Sequence, residues 1–241
     1  MRCVKPGGVV LELDHLTLQR GVFRLTAAWS VSPGSRIAIV GPSGAGKSSL
    51  LAAIAGFLPP ASGTVRWKGQ DLAGSDPGRR PLTILFQEQN LFPHLTVAQN
   101  VGLGLRPDLR LTAQDQTKLE QTLERVGLSG LAARRAADLS GGQASRVALA
   151  RALVRARPML LLDEPFAALG PAQRQDMLHL VRQVADETAA LVLLVTHDLK
   201  EAEGLEGLTV FVEAGVAAPP VPTDALLANP PPALRAYLGL K

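Results

Sequence analysis

The chain has little cysteine and no long hydrophobic run. Its single cysteine, Cys3, excludes an intrachain disulfide and a zinc site built on cysteines. No run approaches the ~18 uncharged apolar residues of a membrane-spanning helix, and the N-terminus lacks the apolar core of a signal peptide. We therefore expect a cytosolic protein. The net charge of +4 is modest and indicates a solvated surface without a nucleic-acid partner.

The arrangement of apolar residues predicts an α/β protein. At 241 residues, 46% of them hydrophobic, the chain has room for one large core with a subdomain. Strands are predicted at residues 9–14, 23–31, 36–40, 64–68, 82–86, 159–163, 190–195 and 208–213. Helices are predicted at residues 50–56 and 171–186. A longer helical stretch is predicted from residue 96 to 156, and it includes a helix at 143–156. The α/β core thus comes from both ends of the chain, with a helical insertion between them.

Residues 41–49 read Gly-Pro-Ser-Gly-Ala-Gly-Lys-Ser-Ser, after the apolar run 36–40. They fit the pattern Gly-x-x-x-x-Gly-Lys-Ser, in which Lys47 reaches the β- and γ-phosphates and the Ser48 hydroxyl ligates Mg²⁺. Glycines let backbone N–H groups approach phosphate oxygens, and the following helix adds its N-terminal amides. A glycine–serine turn that matches by chance is the alternative, but the flanking strand and helix patterns favour phosphate binding. The predicted phosphate-binding residues are Gly41, Pro42, Ser43, Gly44, Ala45, Gly46, Lys47, Ser48 and Ser49.

Two carboxylates follow a second apolar run, where Leu160-Leu161-Leu162 leads into Asp163 and Glu164. At the end of a buried parallel strand, Asp163 is placed to hold Mg²⁺, directly or through water. Glu164 would then point toward the γ-phosphate and polarise a water molecule. Alone, such a pair is more often a solvated strand end. Downstream of a phosphate loop the metal interpretation is favoured, because Lys47 without an acidic metal partner would be an incomplete site.

A third motif reads Leu-Ser-Gly-Gly-Gln and ends at Gln143. Ser140 is a good N-cap for the helix that follows. Gly141 and Gly142 leave bare amides at the helix start that can hold an anion. Taken alone, the motif predicts no more than the beginning of a helix.

Together, these motifs resemble those of ABC ATPases, in the same order along residues 9–215. The resemblance implies a P-loop NTPase core (residues 1–87 and 157–241) with an antiparallel β subdomain and an inserted helical subdomain (88–156), in one domain of residues 1–241. It implies that Gln87 senses Mg²⁺ and water as a catalytic and metal-binding residue. It also implies that His197, after Thr196, hydrogen-bonds the γ-phosphate.

The resemblance further implies a head-to-tail homodimer that encloses two ATP molecules. Ser140, Gly141, Gly142 and Gln143 of one subunit would bind the γ-phosphate held by the other. A non-hydrolysing regulator is the alternative, but Glu164 and His197 are both present. Soluble DNA-maintenance ATPases of the superfamily are a remote alternative. They carry coiled coils or zinc modules between the phosphate loop and the Leu-Ser-Gly-Gly-Gln signature motif, and neither feature occurs between Lys47 and Leu139.

The stretch 85–100, with Arg79-Arg80-Pro81 before it, is most similar to ATP-binding subunits of bacterial thiamine importers. That likeness implies a separate membrane permease and, through it, a periplasmic substrate-binding protein. It implies a peripheral location at the cytoplasmic face of the inner membrane and import of thiamine and its phosphates. Importers of polyamine, iron or sulfate share much of this pattern and remain alternatives.

The chain departs from the family pattern after the Leu-Ser-Gly-Gly-Gln motif, where Ala144 and Ser145 replace a more polar pair, and at two further places. Arg20 stands where the family usually has an aromatic residue that stacks on adenine. A guanidinium can also stack on a base, Phe23 could substitute, and an ordinary strand-edge arginine is the alternative. Gly170 stands where the family usually has an aspartate at the dimer interface. We therefore expect weak communication between the two ATP sites.

Overall fold

One continuous sheet runs through the protein, and helices cover it. The computed structural model describes residues 8–86 and 90–239 and contains eleven strands within them. The strands are β1 (Leu11–Arg20), β2 (Phe23–Val31), β3 (Arg36–Val40), β4 (Ser62–Trp67), β5 (Gln70–Asp71), β6 (Leu82–Leu85), β7 (Met159–Asp163), β8 (Leu191–Val195), β9 (Leu208–Glu213), β10 (Val216–Ala217) and β11 (Val221–Pro222). The helices are α1 (Lys47–Ala55), α2 (Val97–Gly102), α3 (Ala113–Arg125), α4 (Gly141–Val154), α5 (Pro171–Thr188), α6 (Leu199–Gly204), α7 (Thr223–Ala228) and α8 (Pro232–Tyr237).

The strand order is β5-β4-β1-β2-β10-β9-β3-β8-β7-β6, with β11 beside β9. Strands β9, β3, β8, β7 and β6 pair in parallel, whereas β2, β1, β4 and β5 pair antiparallel. Every residue of β7 and β8 is buried, as expected for parallel strands covered on both faces. The predicted α/β class, with a parallel core and an antiparallel β subdomain, is confirmed.

The helical segment, defined here as residues 90–156, lies between β6 and β7 and carries α2, α3 and α4. Each of these helices begins with a capping box, at Thr96, Thr112 and Ser140. Val101 and Val147 of the segment belong to the same buried cluster as residues of β7 and β8. The segment therefore packs directly on the parallel core.

The largest differences from the predicted element boundaries are at the end of β1 and at the start of α1. Strand β1 continues to Arg20, well beyond the predicted end, because a bulge between Leu13 and Leu16 resets its alternation and keeps Leu16 buried. The bulge contains His15 at a φ of 45°. Helix α1 begins at Lys47, three residues before the predicted start, since its polar first turn carries no hydrophobic periodicity.

A buried arginine ties α1 to the antiparallel subdomain. The Arg80 guanidinium donates hydrogen bonds to the carbonyls of Ala53 (3.2 Å), Ile54 (2.7 Å) and Leu72 (2.9 Å). Carbonyls in the last turn of a helix have no partner within the helix. Arg80 contacts two of them, that of Ile54 and that of Ala53, which also accepts from the Gly56 N–H at 3.1 Å, and thereby holds the helix that follows the phosphate loop.

Candidate functional site

Residues 41–46 form the loop between β3 and α1, and packing explains its two fixed glycines. A Cβ atom on Gly41 would lie 2.1 Å from the Val212 carbonyl oxygen of β9. A Cβ atom on Gly46 would lie 2.5 Å from the ring of Phe23, and Gly46 has a φ of 100°. We expected these glycines to make room for phosphate oxygens. At both positions the atoms that exclude a side chain belong to the protein itself.

Lys47, the first residue of α1, is buried beside this loop. Its ammonium donates hydrogen bonds to the carbonyls of Gly41 (2.8 Å) and Pro42 (2.9 Å). Burial lowers the pKa of Lys47, and the charges of Glu164 and Asp163 act in the opposite direction. The loop thus holds a cation that faces two acidic residues.

Ser48 and Asp163 meet at the end of β7. The Ser48 hydroxyl donates a hydrogen bond to Asp163 Oδ1 at 3.0 Å. Burial raises the pKa of Asp163, whereas the Ser48 hydrogen bond and the Lys47 charge lower it. Neighbouring hydroxyl and carboxylate oxygens suit Mg²⁺, which usually keeps one or two protein ligands beside water and phosphate oxygens. The described residues contain no cluster of three or more His, Cys, Asp or Glu side chains suited to a metal ion.

Glu164 and His197 lie at the ends of the adjacent parallel strands β7 and β8. Glu164 has a φ of 45°, a strained conformation for a residue with a side chain, and its N–H donates to the Val195 carbonyl at 3.0 Å. This geometry brings Glu164 Oε2 to 3.4 Å from His197 Nδ1. The Tyr237 hydroxyl of α8 donates to the His197 carbonyl at 3.3 Å. The backbone therefore holds the carboxylate and the imidazole side by side.

Lys47, Ser48, Glu164 and His197 open into one pocket with a volume of about 590 Å³, whereas Asp163 does not line it and contacts it through Ser48. It is lined by Arg20, Phe23, Ser43, Gly44, Gly46, Lys47, Ser48, Ser49, Glu164 and His197. Gly41, Pro42 and Ala45 were also predicted to bind phosphate but do not line it. They shape the loop from behind: the carbonyls of Gly41 and Pro42 accept from Lys47, and the Ala45 N–H donates to Pro42 at 3.2 Å.

The hairpin formed by β1 and β2 supplies another part of the pocket wall. Arg20 pairs with Phe23 across the turn at Gly21 and Val22, so both side chains belong to the last pair of the hairpin. Both line the pocket. The structure brings together the guanidinium and the ring that the sequence left as alternatives.

The start of α4 is not part of this pocket. Ser140 Oγ accepts from the Gln143 N–H at 3.3 Å, and Gln143 Oε1 accepts from the Ser140 N–H at 3.1 Å. Ser140 and Gly141 are exposed, whereas Gly142 and Gln143 are half-buried. The four predicted signature residues therefore lie together but at a different surface of the same chain. Gln87 lies outside the described residues.

Comparisons with known proteins agree with this geometry. The family model described as ABC transporter matches residues 26–167. The chain belongs to the ABC transporter family. "Thiamine import ATP-binding protein ThiQ" of Cereibacter sphaeroides is 56% identical over 230 residues, which cover 95% of this chain and 100% of that protein. The proteins of the same name from Ruegeria sp. and Escherichia coli are each 50% identical, over 95% and 96% of this chain and the full length of each relative.

A solved ABC protein has the same fold. The structure titled as cbiO1 from Clostridium perfringens, part of the ABC transporter complex cbiONQ, superimposes with a TM-score of 0.80. It covers 96% of this chain and 94% of its own, at 24% sequence identity. In this ABC subunit, no helix among residues 8–86 and 90–239 is long and apolar enough to cross a membrane.

Sequence reasoning missed two residues that hold the segment after β8 in this ABC subunit. Tyr237 contacts the His197 backbone from the C-terminal helix. Arg174 of α5 pairs with Asp198 at 2.8 Å. Neither belongs to a motif, and both contacts span long stretches of chain, so no local pattern indicated them.

Proposed function

We propose that this ABC protein is the ATP-hydrolysing subunit of a bacterial importer for thiamine and its phosphates. The observation that carries the ATPase assignment is the single pocket that Lys47, Glu164 and His197 share with Ser48. The substrate assignment is supported by relatives that match over their full length and are named for thiamine import.

The phosphates of ATP bind in the loop 41–49. Lys47 neutralises the β- and γ-phosphates, and the first amides of α1 face the same anion. Ser48 and Asp163 would hold Mg²⁺, and Gln87 would add a further ligand. When bound, Mg²⁺ neutralises charge on the phosphate oxygens. The hydrogen bond between Ser48 and Asp163 supports this site, because it keeps two oxygen ligands adjacent.

Hydrolysis is an in-line attack by water on the γ-phosphorus. Glu164 accepts a hydrogen bond from this water and polarises it, while His197 donates one to a γ-phosphate oxygen. The bond between the γ-phosphorus and the bridging oxygen breaks, which leaves ADP and inorganic phosphate, and the water's proton passes to solvent. The contact between Glu164 and His197 at 3.4 Å supports their joint action.

The adenine base is held at the β1–β2 hairpin. Phe23 offers an aromatic face, and Arg20 offers a planar cation that also stacks on bases. The position of both residues at the pocket wall supports a shared role. The usual family pattern stacks adenine on a single aromatic residue. This chain differs because Arg20 and Phe23 would both stack on the base.

The active unit is a head-to-tail homodimer with two ATP molecules at its interface. The pocket of one subunit and the start of α4 of the other together surround each γ-phosphate. The exposure of Ser140 and Gly141, away from the pocket of their own chain, supports this arrangement. Helix N-termini bind anions, so α4 would contribute its amides to the partner's nucleotide.

The dimer acts on a membrane permease that receives thiamine from a periplasmic binding protein. The subunit itself then lies peripherally at the cytoplasmic face of the inner membrane. Phe92 is 46% exposed near the start of the helical segment, where the family resemblance places the permease contact. An exposed aromatic residue of this kind is typical of protein interfaces.

Uptake of labelled thiamine tests this proposal. The chain would be expressed with its own organism's thiamine permease and binding protein in a strain that lacks a thiamine-importer ATPase. We expect uptake with the wild-type chain and none with Lys47→Ala. Uptake that does not depend on the chain contradicts the thiamine assignment. Chain-dependent uptake of putrescine, iron or sulfate through the organism's own permease for that compound, with none of thiamine through the thiamine permease, would favour that alternative importer.

A further inference from the structure

Arg174 of α5 joins two loops of the candidate site. Its Nη1 donates to Asp198 Oδ2 at 2.8 Å, and its Nη2 donates to the Leu169 carbonyl at 3.3 Å. Its Nε lies 3.2 Å from Glu201 Oε1. Asp198 and Glu201 belong to the segment that follows His197, whereas Leu169 belongs to the loop that follows Glu164. One guanidinium therefore contacts both the segment after His197 and the loop after Glu164, the two residues that we assign to hydrolysis.

The segment around His197 depends on the groups that Arg174 contacts. Thr196 Oγ1 accepts from the Asp198 N–H at 2.9 Å, and Asp198 Oδ1 accepts from the Lys200 N–H at 2.9 Å. Glu201 is only 5% exposed. Burial raises the pKa of Glu201, and its hydrogen bond with Thr196 and the Arg174 charge lower it. The residues on both sides of His197 are thus held by one network centred on Arg174.

The other branch of this network reaches the loop between Glu164 and α5. Leu169 is 5% exposed, and its carbonyl accepts from Arg174. Gly170, the next residue, has no side chain, and the start of α5 has no side-chain cap. Arg174 therefore supplies at this point a polar link between the two loops that Gly170 is unable to make.

We propose that Arg174 is a positioning residue that holds the His197 segment in register with Glu164. The inference rests on the proposed function, in which these two residues act on water and the γ-phosphate. Both must lie within hydrogen-bond reach of the same reacting group. Displacement by about 1 Å can lower a rate ~100-fold, so a link outside the pocket can govern turnover without touching ATP.

Arg174→Ala tests the link in the full-length subunit, with Arg182→Ala as a matched control on the same helix. Arg182 also donates to a backbone carbonyl, that of Gly204, and pairs with a carboxylate, Glu206, but away from the pocket. We expect Arg174→Ala to lower kcat at least ~10-fold with the KM for ATP unchanged. Arg182→Ala should keep the wild-type kcat. Arg174→Lys, which keeps a charge for Asp198 but loses the fork, should recover part of the loss.

A double-mutant cycle separates positioning from a general loss of structure. If Arg174 acts through His197, adding Arg174→Ala to His197→Ala should cost less than about twofold in single-turnover rate. An equal loss in both backgrounds would overturn the inference. So would an Arg174→Ala variant whose kcat matches that of Arg182→Ala.

The same measurements keep this inference apart from the proposed function. If His197→Ala hydrolyses ATP at the wild-type rate, the proposed role of His197 is wrong, and the inference fails with it. If His197→Ala is impaired while Arg174→Ala is not, the proposed function stands and only the positioning role is wrong.

Discussion

The nucleotide pocket and the start of α4 hold their functional groups in opposite ways. In the pocket, Lys47 and Asp163 are each 7% exposed, and strand ends or the first turn of α1 fix their positions. At α4, Ser140 and Gly141 are exposed on the protein surface, and a capping box orders the start of the helix. The pocket supplies chemistry from within one chain. In the proposed function, the helical segment supplies contacts to other molecules.

The largest effect should come from the chemistry of the pocket. Glu164→Gln keeps the size of the side chain but removes the charge that polarises water. We expect turnover to fall at least ~100-fold, ATP to bind normally and an ATP-bound dimer to accumulate, as measured by phosphate release and size-exclusion chromatography. Glu203→Gln on α6 makes the same chemical change at an exposed site and should have no effect. Near-normal phosphate release by Glu164→Gln would remove this residue from the mechanism.

A smaller effect should arise on the helical segment, at the expected permease contact. Phe92 is exposed, whereas Leu91 packs against the core. A substitution at Phe92 therefore tests the permease contact without disturbing the packing of the core. Phe92→Glu should lower thiamine uptake about tenfold or more and leave the ATPase rate of the isolated subunit unchanged. Val216→Glu puts the same charge on another exposed apolar residue and should transport normally. If Phe92→Glu unfolds or transports normally, the permease contact loses its support.

Mixing two defective chains tests whether the pocket and α4 of different chains form one site. Lys47→Ala breaks the pocket. Gly141→Asp places a carboxylate at the start of α4, where the nearest atom to a Cβ is 3.7 Å away and the helix dipole tolerates an anion. Each variant alone should lack ATPase activity. An equal mixture should recover about a quarter of it, since half of the dimers then have one intact site of two. No recovery would indicate that each chain hydrolyses ATP alone.

The smallest effect should come from Gly170, in the loop that joins Glu164 to α5. Its φ of −69° and ψ of 163° suit any residue, and nothing lies within 4 Å of a Cβ. Gly170→Asp should cap α5, stabilise the fold by about 0.3 kcal/mol and tighten ATP-dependent dimerisation about twofold. Gly170→Asn supplies the cap without the charge and should affect stability alone. Dimerisation and ATPase curves that superimpose with those of the wild type would mean that Gly170 has no role in coupling.

Local pattern sufficed for much of the fold and for the pocket's central residues. Strands β2, β3, β7 and β9 have the predicted bounds, because each is an apolar or alternating run between polar or turn residues. The loop 41–49 was recognisable because Gly41, Gly46 and Lys47 have the fixed spacing of the phosphate-loop pattern. The roles of these residues, and the subdomain boundaries at residues 88 and 156, stay predictions.

What the sequence concealed depends on contacts between distant residues. The bulge in β1 interrupts the strand alternation that would have extended the prediction to Arg20. The clash that excludes a side chain at Gly41 comes from β9, far along the chain. Arg174 is an ordinary helix residue until its fold places it against Asp198 and Leu169. Ion pairs of this kind leave no periodic signal in the sequence.

The sheet order has a consequence for synthesis on the ribosome. The phosphate loop is made early, but β3 pairs with β8 and β9, which are among the last strands to be made. Pairing between distant strands closes late in folding, and domains fold as units during synthesis. A chain interrupted within the helical segment therefore carries the loop sequence without a pocket. We therefore expect such a truncated chain not to bind ATP.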